Sequence, residues 1–406
     1  MVAGKDIDVP KTARCLLVLF ALFGTPSYAG DLVMVGGALG PLDEAIYSSI
    51  VERLENDTIC IFGTASADPE RAAQSYLRDF TRYGAEPVFV DISADNAEQS
   101  TSDGAILDRI AACGGYFFTG GRDQRFITDA FLVEGEDTPA LVTLRARFEA
   151  GAVVAGTSSG AAALSRVMIG GGSSVDTLLG GENAVSLEQG LDFASGVVFE
   201  PHFIERGRLG RLLGALVEAD VPLGAGIGEG TALIIPEGGP WQIVGAGHVA
   251  LIEMPEGADL AALEGILISL LAGGDTFDPV TDTFSVRLER NNTREIGYYY
   301  GAGDIFAIDA FGPGVLTDLL TRLVDSPESD ASGLGFVGNS AVNFTADGVR
   351  VVLRKTDQTK GYWGRVSDAD VHSVVRAELS VEPITVSVGP KSPDVEGGTI
   401  RGENSP

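Results

Sequence analysis

The sequence predicts an α/β protein: a parallel sheet with helices on both faces, followed by a β-rich C-terminal appendage. Three observations predict it. Short apolar runs alternate with helical segments over residues 31–155, which is the pattern of parallel strands joined by crossover helices. Three of those runs end in Gly36-Gly37, in Gly120-Gly121 and in Gly156-Thr157-Ser158-Ser159-Gly160. Ligands of open α/β sheets bind beyond the carboxyl ends of the strands, so these three turns can converge on one site. From Gly273 onward the chain becomes rich in Gly, Asp, Thr and Val, with short alternating runs at 284–288 and 349–353.

Each element has its own signal. Strands are expected at 32–35, 58–62, 87–92, 115–119 and 152–155, all short apolar runs bounded by turn residues. Helices are expected at 42–54, where Ala45, Ile46, Ser49, Ile50 and Arg53 share one face, and at 69–83, opened by Asp68-Pro69. A further helix is expected at 105–112, with helical segments running on to Ala150. After Ser158 come a Gly/Ser-rich loop at 170–174, a strand at 196–199 and a basic helix carrying Arg206, Arg208 and Arg211. Residues 223–235 and 241–252 read as closing strands around a turn at Gly238-Gly239-Pro240, and 258–271 reads as a helix. The division that follows is 1–29 as a signal peptide, 30–272 as an α/β domain and 273–406 as the appendage, with a mobile tail from Pro390.

The N-terminal assignment rests on Lys11 and Arg14, the apolar run 15–23, and Ser27-Tyr28-Ala29. A basic region, an apolar region and a small-residue site are the parts of an export signal. Cleavage is expected after Ala29, which makes the mature chain secreted or periplasmic. The apolar run is too short to serve as a membrane anchor. Among 406 residues the net charge is −29, which argues against nucleic acid and anionic membranes as partners. Cys60 and Cys113 remain after cleavage and read as two buried thiols rather than a disulfide. With three His in the chain, no zinc site of the His/Cys type is expected, and no cofactor.

The chemistry centres on Gly156-x-Ser158-x-Gly160, which follows an expected strand and precedes small residues able to start a helix. That is a nucleophile elbow: a tight turn exposes the serine, and the helix after it offers backbone N–H groups to a developing oxyanion. A serine nucleophile needs a base, and His is the usual one. His248 lies inside an expected strand and His372 lies in the appendage. His202 ends a strand after the elbow and is therefore the candidate base. An acid must fix its tautomer. Between Ser158 and His202 the acids are Asp176, Glu182, Glu188, Asp192 and Glu200; Asp176 is the expected partner, with Glu182 next.

These strings carry a resemblance. The elbow, the run His202-Phe203-Ile204-Glu205-Arg206-Gly207-Arg208-Leu209-Gly210-Arg211-Leu212, the segment Phe118-Thr119-Gly120-Gly121 with Asp123-Gln124, and Gly226-Ile227-Gly228-Glu229-Gly230-Thr231-Ala232 together resemble the cyanophycinases. That serine peptidase family includes the α-aspartyl dipeptidase called peptidase E. The resemblance covers residues 31–252. It implies a flavodoxin-like or class I glutamine-amidotransferase-like fold, Ser158 as nucleophile, His202 as base, and an acid soon after the elbow helix, which again favours Asp176. It also implies oxyanion donors at the backbone of Gly121 and Ser159, and substrate contacts from Asp123, Gln124, Arg206, Arg208 and Arg211; for Glu229 two readings stand open, an ion pair with this arginine cluster or contact with a cationic group of the substrate.

The implied reaction is hydrolysis of cyanophycin, a polyaspartate with arginine on each β-carboxyl group, to β-Asp-Arg dipeptides through an acyl-enzyme. Guanidinium forks suit such a substrate because they bind carboxylates bidentately. The chain departs from the family pattern in three places: Arg122 stands between Gly121 and Asp123, Glu200-Pro201 precedes the histidine in place of Asp-Gln, and Ser159 replaces an alanine. Pro201 is nearer the peptidase E pattern. An aspartyl dipeptidase and a catalytically silent binding protein are therefore open alternatives, as is a homodimer to a monomer.

Overall fold

The computed structural model describes residues 30–287, 290–337, 344–366 and 369–389. The expected signal peptide and the expected mobile tail lie outside the described residues. Nine strands form a first sheet, in the order Thr283–Ser285, Thr276–Asp278, Trp241–Gly245, Thr231–Ile235, Leu32–Val35, Val153–Thr157, Gly115–Phe118, Thr58–Phe62 and Glu86–Phe89. The last five run parallel to one another, and the first four add antiparallel. The alternation read from the sequence is thus the parallel half of a mixed sheet.

Strand periodicity sorts the core. Val33, Val35, Ile59, Ile61, Phe117, Val153 and Ala155 point to one face, where Ile46, Tyr47 and Ile50 of helix Glu44–Val51 and Phe80 of helix Pro69–Arg82 cover them. Leu32, Met34, Cys60, Phe62, Tyr116, Phe118 and Val154 point to the other face, because successive side chains alternate across a strand. They meet helix Pro139–Glu149 and one face of a second sheet. That sheet begins Val197–Pro201, Leu223–Ile227, His248–Glu253 and Leu263–Ala272, and continues through Ala369–Val388, Phe344–Arg354 and Asp330–Phe336. Its far face is covered by helices Leu209–Ala219 and Val315–Val324.

Residues 258–271 are not a helix. Leu263–Ala272 is an inner strand, bonded to His248–Glu253 on one edge and to Ala369–Val388 on the other. Ile266, Ile268 and Leu270 face one core and Leu271 the other. A strand buried on both faces is apolar throughout, and such a run has the composition of a buried helix. The β-rich C-terminal region also joins both sheets across residue 272. Thr276–Asp278 pairs with Trp241–Gly245. The fully buried Asp275 accepts a hydrogen bond from Ser373 Oγ at 2.6 Å, and Arg290 Nη1 donates to the same hydroxyl at 2.7 Å. Among the described residues, no helix is long and apolar enough to cross a membrane.

Cys60 and Cys113 form a disulfide, which corrects the expectation of two thiols. That expectation placed the cysteines in apolar segments of neighbouring sheet elements, where strand geometry rarely suits a bridge. Cys113 instead caps helix Gly104–Ala112, in the turn before strand Gly115–Phe118, and its Cα lies 5.8 Å from that of Cys60. The bridge closes a loop of sequence separation 53. Cross-linking a loop of that length restricts the unfolded chain, so Cys60→Ser with Cys113→Ser should lower the unfolding free energy by about 2–4 kcal/mol. Urea titration of the double variant beside the oxidised wild type measures the difference; superimposable curves would contradict it.

Candidate active site

The site is assembled at the carboxyl ends of three strands. Strand Val153–Thr157 delivers Ser158 into a turn with φ 54° and ψ −120°, and helix Ser159–Ala163 follows at once. The turn closes because both flanking residues lack side chains: a Cβ on Gly156 would meet Gly160 at 2.6 Å, and one on Gly160 would meet the Phe118 carbonyl oxygen at 2.2 Å. Ser158 N–H donates to the Val35 carbonyl, so the elbow is tied to the neighbouring strand. Strand Val197–Pro201 delivers His202, which also has a positive φ, 51°. Backbone held in this region costs energy and needs the surroundings to enforce it, and such residues cluster at functional sites. Here the His202 N–H donates to the Gly36 carbonyl at 2.7 Å, and the imidazole lies flush against Gly37, where a Cβ would meet it at 2.2 Å.

Ser158 Oγ lies 2.7 Å from His202 Nε2. His202 Nδ1 lies 2.6 Å from Glu229 Oε1. The carboxylate on the imidazole is therefore Glu229, and Asp176 is elsewhere. Asp176 sits in the first turn of helix Ser174–Leu179, accepts from Ser173 Oγ at 2.7 Å and donates its own N–H back to that oxygen at 3.1 Å. This reciprocal cap satisfies a helix terminus and engages the Asp176 carboxylate. Glu182 is exposed on the loop beyond. Glu229 reaches His202 because Val197–Pro201 and Leu223–Ile227 are parallel neighbours with Pro201 opposite Ile227. One residue past the first strand then lies beside two residues past the second. Glu229, expected at the arginine cluster or at the substrate, is thus bonded to the imidazole.

The other expected site residues divide. Gly121 and Ser159 line the cavity of about 190 Å³ in which Ser158 and His202 lie, and Ser159 Oγ donates to the Gly121 carbonyl at 3.3 Å. Gln124 lines it too, with its amide nitrogen donating to the Ile169 carbonyl at 2.6 Å. The Asp123 carboxylate turns to Arg125, accepting from its Nη2 at 2.6 Å, and that guanidinium lowers its pKa.

Arg206, Arg208 and Arg211 all border the cavity. Arg206 and Arg208 precede helix Leu209–Ala219 rather than lying in it. Arg208 and Arg211 converge on Glu200, whose side chain is 1% exposed, at 2.7 and 2.8 Å. Glu200, weighed from sequence among the candidate acids and as a departure from the family pattern, is the buried counter-ion that holds two of the three arginines. Removing one partner of such a pair would strand a charge, so the two guanidinium groups are fixed in place. Arg206 is exposed and has no side-chain partner among the described residues.

Burial lowers the pKa of His202; its hydrogen bond to the Glu229 carboxylate opposes this, and the nearby Arg206 and Arg208 lower it further. Neutral imidazole is the form that can accept the Ser158 proton. The activity lost on acidification should therefore fall away with a midpoint below the ordinary imidazole value near 6.5. Arg206→Gln removes one of the lowering charges, so its midpoint should move up. Profiles of kcat/KM against pH for both chains test this; an unmoved or downward-shifted midpoint would contradict the assigned cause.

A serine at a strand end of the first sheet, bonded in series to an imidazole and a carboxylate at strand ends of the second, makes a constellation able to carry out acyl transfer. No protein-family model matches the chain. Over 200 residues it is 34% identical to a cyanophycinase of Trichormus variabilis, an alignment covering 49% of this chain and 64% of the relative. A cyanophycinase of Synechococcus elongatus is 31% identical over 196 residues, 48% of this chain and 58% of the relative. One of Geminocystis herdmanii is 29% identical over 234 residues, 55% and 83%. The chain thus spans under two thirds of the length of the first two. Among solved structures, a peptidase from an acI-B1 actinobacterium matches with a TM-score of 0.46 and 20% identity, over 63% of this chain and 99% of the other. Over about half its length, the chain is thus similar in sequence to cyanophycinases.

Proposed function

We propose that the protein is an exported serine-type exopeptidase that hydrolyses cyanophycin to β-Asp-Arg dipeptides. The observation that carries this reading is the bonded series Ser158–His202–Glu229. Ser158 Oγ attacks the scissile carbonyl as His202 Nε2 takes its proton. Glu229 holds the proton on Nδ1 and stabilises the imidazolium that forms. The tetrahedral oxyanion is received by the backbone N–H groups of Gly121 and Ser159. Collapse expels the amine, which takes the proton from His202 and leaves an acyl-Ser158. Water then attacks the ester with His202 again as base, and the carboxylic product leaves the serine free.

The substrate assignment draws on the similarity to cyanophycinases and on the basic wall of the cavity. Arg206, free of a partner, meets a substrate carboxylate, while Arg208 and Arg211, anchored by Glu200, give that wall a fixed geometry. The Cys60–Cys113 disulfide supports export, since such bonds persist in oxidising compartments. A fluorophosphonate probe tests the central chemistry. It should label Ser158 stoichiometrically, and a chain that takes no label has no activated serine.

A further inference from the structure

A second cavity, of about 690 Å³, adjoins the first. Arg206, Arg208 and Arg211 border both, so the row of arginines is the shared wall. The opposite wall comes from the β-rich C-terminal region: Ile308, Asp309, Phe311 and Phe336. That region is seated on the loop that follows His202. Gly314 N–H donates to the Ile204 carbonyl at 3.0 Å. Gly207, at φ 55°, lies so close to the Phe311 carbonyl that a Cβ would meet its oxygen at 1.7 Å, a contact that only glycine permits. The volume falls in the range of about 300–1,000 Å³ common to ligand sites.

We propose that this second cavity is a subsite for a further β-Asp-Arg repeat of the polymer, built jointly by the arginine row and residues 306–336. The inference rests on the cyanophycin reading and extends it from the scissile unit to its neighbour. Each repeat carries one carboxylate and one guanidinium at the ends of a flexible stem. The cavity offers the complementary pair. Arg206 is a cation without a partner; Asp309 is exposed, with Oδ1 accepting from the Phe311 N–H and the rest of its carboxylate open to a guanidinium. Between them Ile308, 68% exposed, and Phe311 form an apolar surface for the methylenes. Opposite charges on facing walls hold the arginine branch of a zwitterionic repeat with its carboxylate toward Arg206 and its guanidinium toward Asp309.

Calorimetric titration of the full-length Ser158→Ala chain with synthetic oligomers of one and four repeats tests the subsite without turnover. Four repeats should bind at least about tenfold more tightly than one, and Asp309→Asn in the same background should remove most of that gain, as expected for a lost charged hydrogen bond. Asp309→Glu, which keeps the charge, should retain it. Equal affinity for both lengths, or a gain untouched by Asp309→Asn, would overturn the subsite. Digestion of the same oligomers by wild-type protein reports separately on the peptidase. A length gain that depends on Asp309, without any cleavage, upholds the subsite and rejects the activity. Cleavage without that gain does the reverse.

Discussion

Ser158→Ala should hydrolyse cyanophycin roughly 10⁴–10⁶-fold more slowly than the wild type, with the fold intact. The loss follows from the removal of Oγ, which is both the attacking atom and the partner of His202 Nε2 at 2.7 Å. The fold should survive because alanine keeps the Cβ. Backbone strain at φ 54° is the same for either residue, and the close packing of Gly156 on Gly160 is untouched. Unchanged far-UV circular dichroism beside lost turnover would establish both points. Residual activity above a few per cent would mean that another group attacks.

Glu229→Gln should lower kcat by about 10⁴ through a different route. Its side chain is isosteric, so the position 2.6 Å from His202 Nδ1 remains filled. The amide, however, can present N–H to Nδ1 and stabilise the tautomer with its proton on Nε2, which cannot take the serine proton. It also withdraws the negative charge that offsets the imidazolium. Asp176→Asn is the control. Its carboxylate only accepts from the hydroxyl of Ser173, the N-cap of helix Ser174–Leu179; an asparagine oxygen can accept the same bond, so this change should cost at most about 1.5 kcal/mol of stability and leave kcat near its wild-type value. A silent Glu229→Gln beside an inactive Asp176→Asn would reverse the assignment of the acid.

That contrast shows what was legible in the sequence. Ser158 and His202 announce themselves locally: one by a strand, a Gly-x-Ser-x-Gly turn and small residues, the other by its place at the end of an apolar run. Glu229 has no local signal. It becomes the partner of His202 only when Val197–Pro201 pairs in parallel with Leu223–Ile227, a long-range choice that a search between the serine and the histidine cannot reach. The Gly228-Glu229-Gly230 string, inside the expected closing stretch 223–235 and in fact the turn between strands Leu223–Ile227 and Thr231–Ile235, is the available clue. Glu200 was legible as a departure from the family pattern but not as the buried anchor of Arg208 and Arg211, which depends on the chain turning back over it after His202.

The same distinction holds for the fold. The five parallel strands follow from alternation, because each apolar run is bounded by turn residues. The strand Leu263–Ala272 has the sequence pattern of a helix because it is buried between two neighbours and shows no period of two. Nor does composition reveal that the region after residue 272 adds strands to both sheets and walls a cavity beside the arginines. Its Gly- and Asp-rich character describes its turns, not the surfaces on which it packs.

The most direct test of the account is incubation of the purified wild-type chain with cyanophycin, with the soluble products read by mass spectrometry. The account predicts release of one species, the β-Asp-Arg dipeptide, and none from the Ser158→Ala chain. Intact polymer after incubation with a protein whose Ser158 takes a fluorophosphonate label would contradict it, and would make the chain a serine hydrolase of some other substrate.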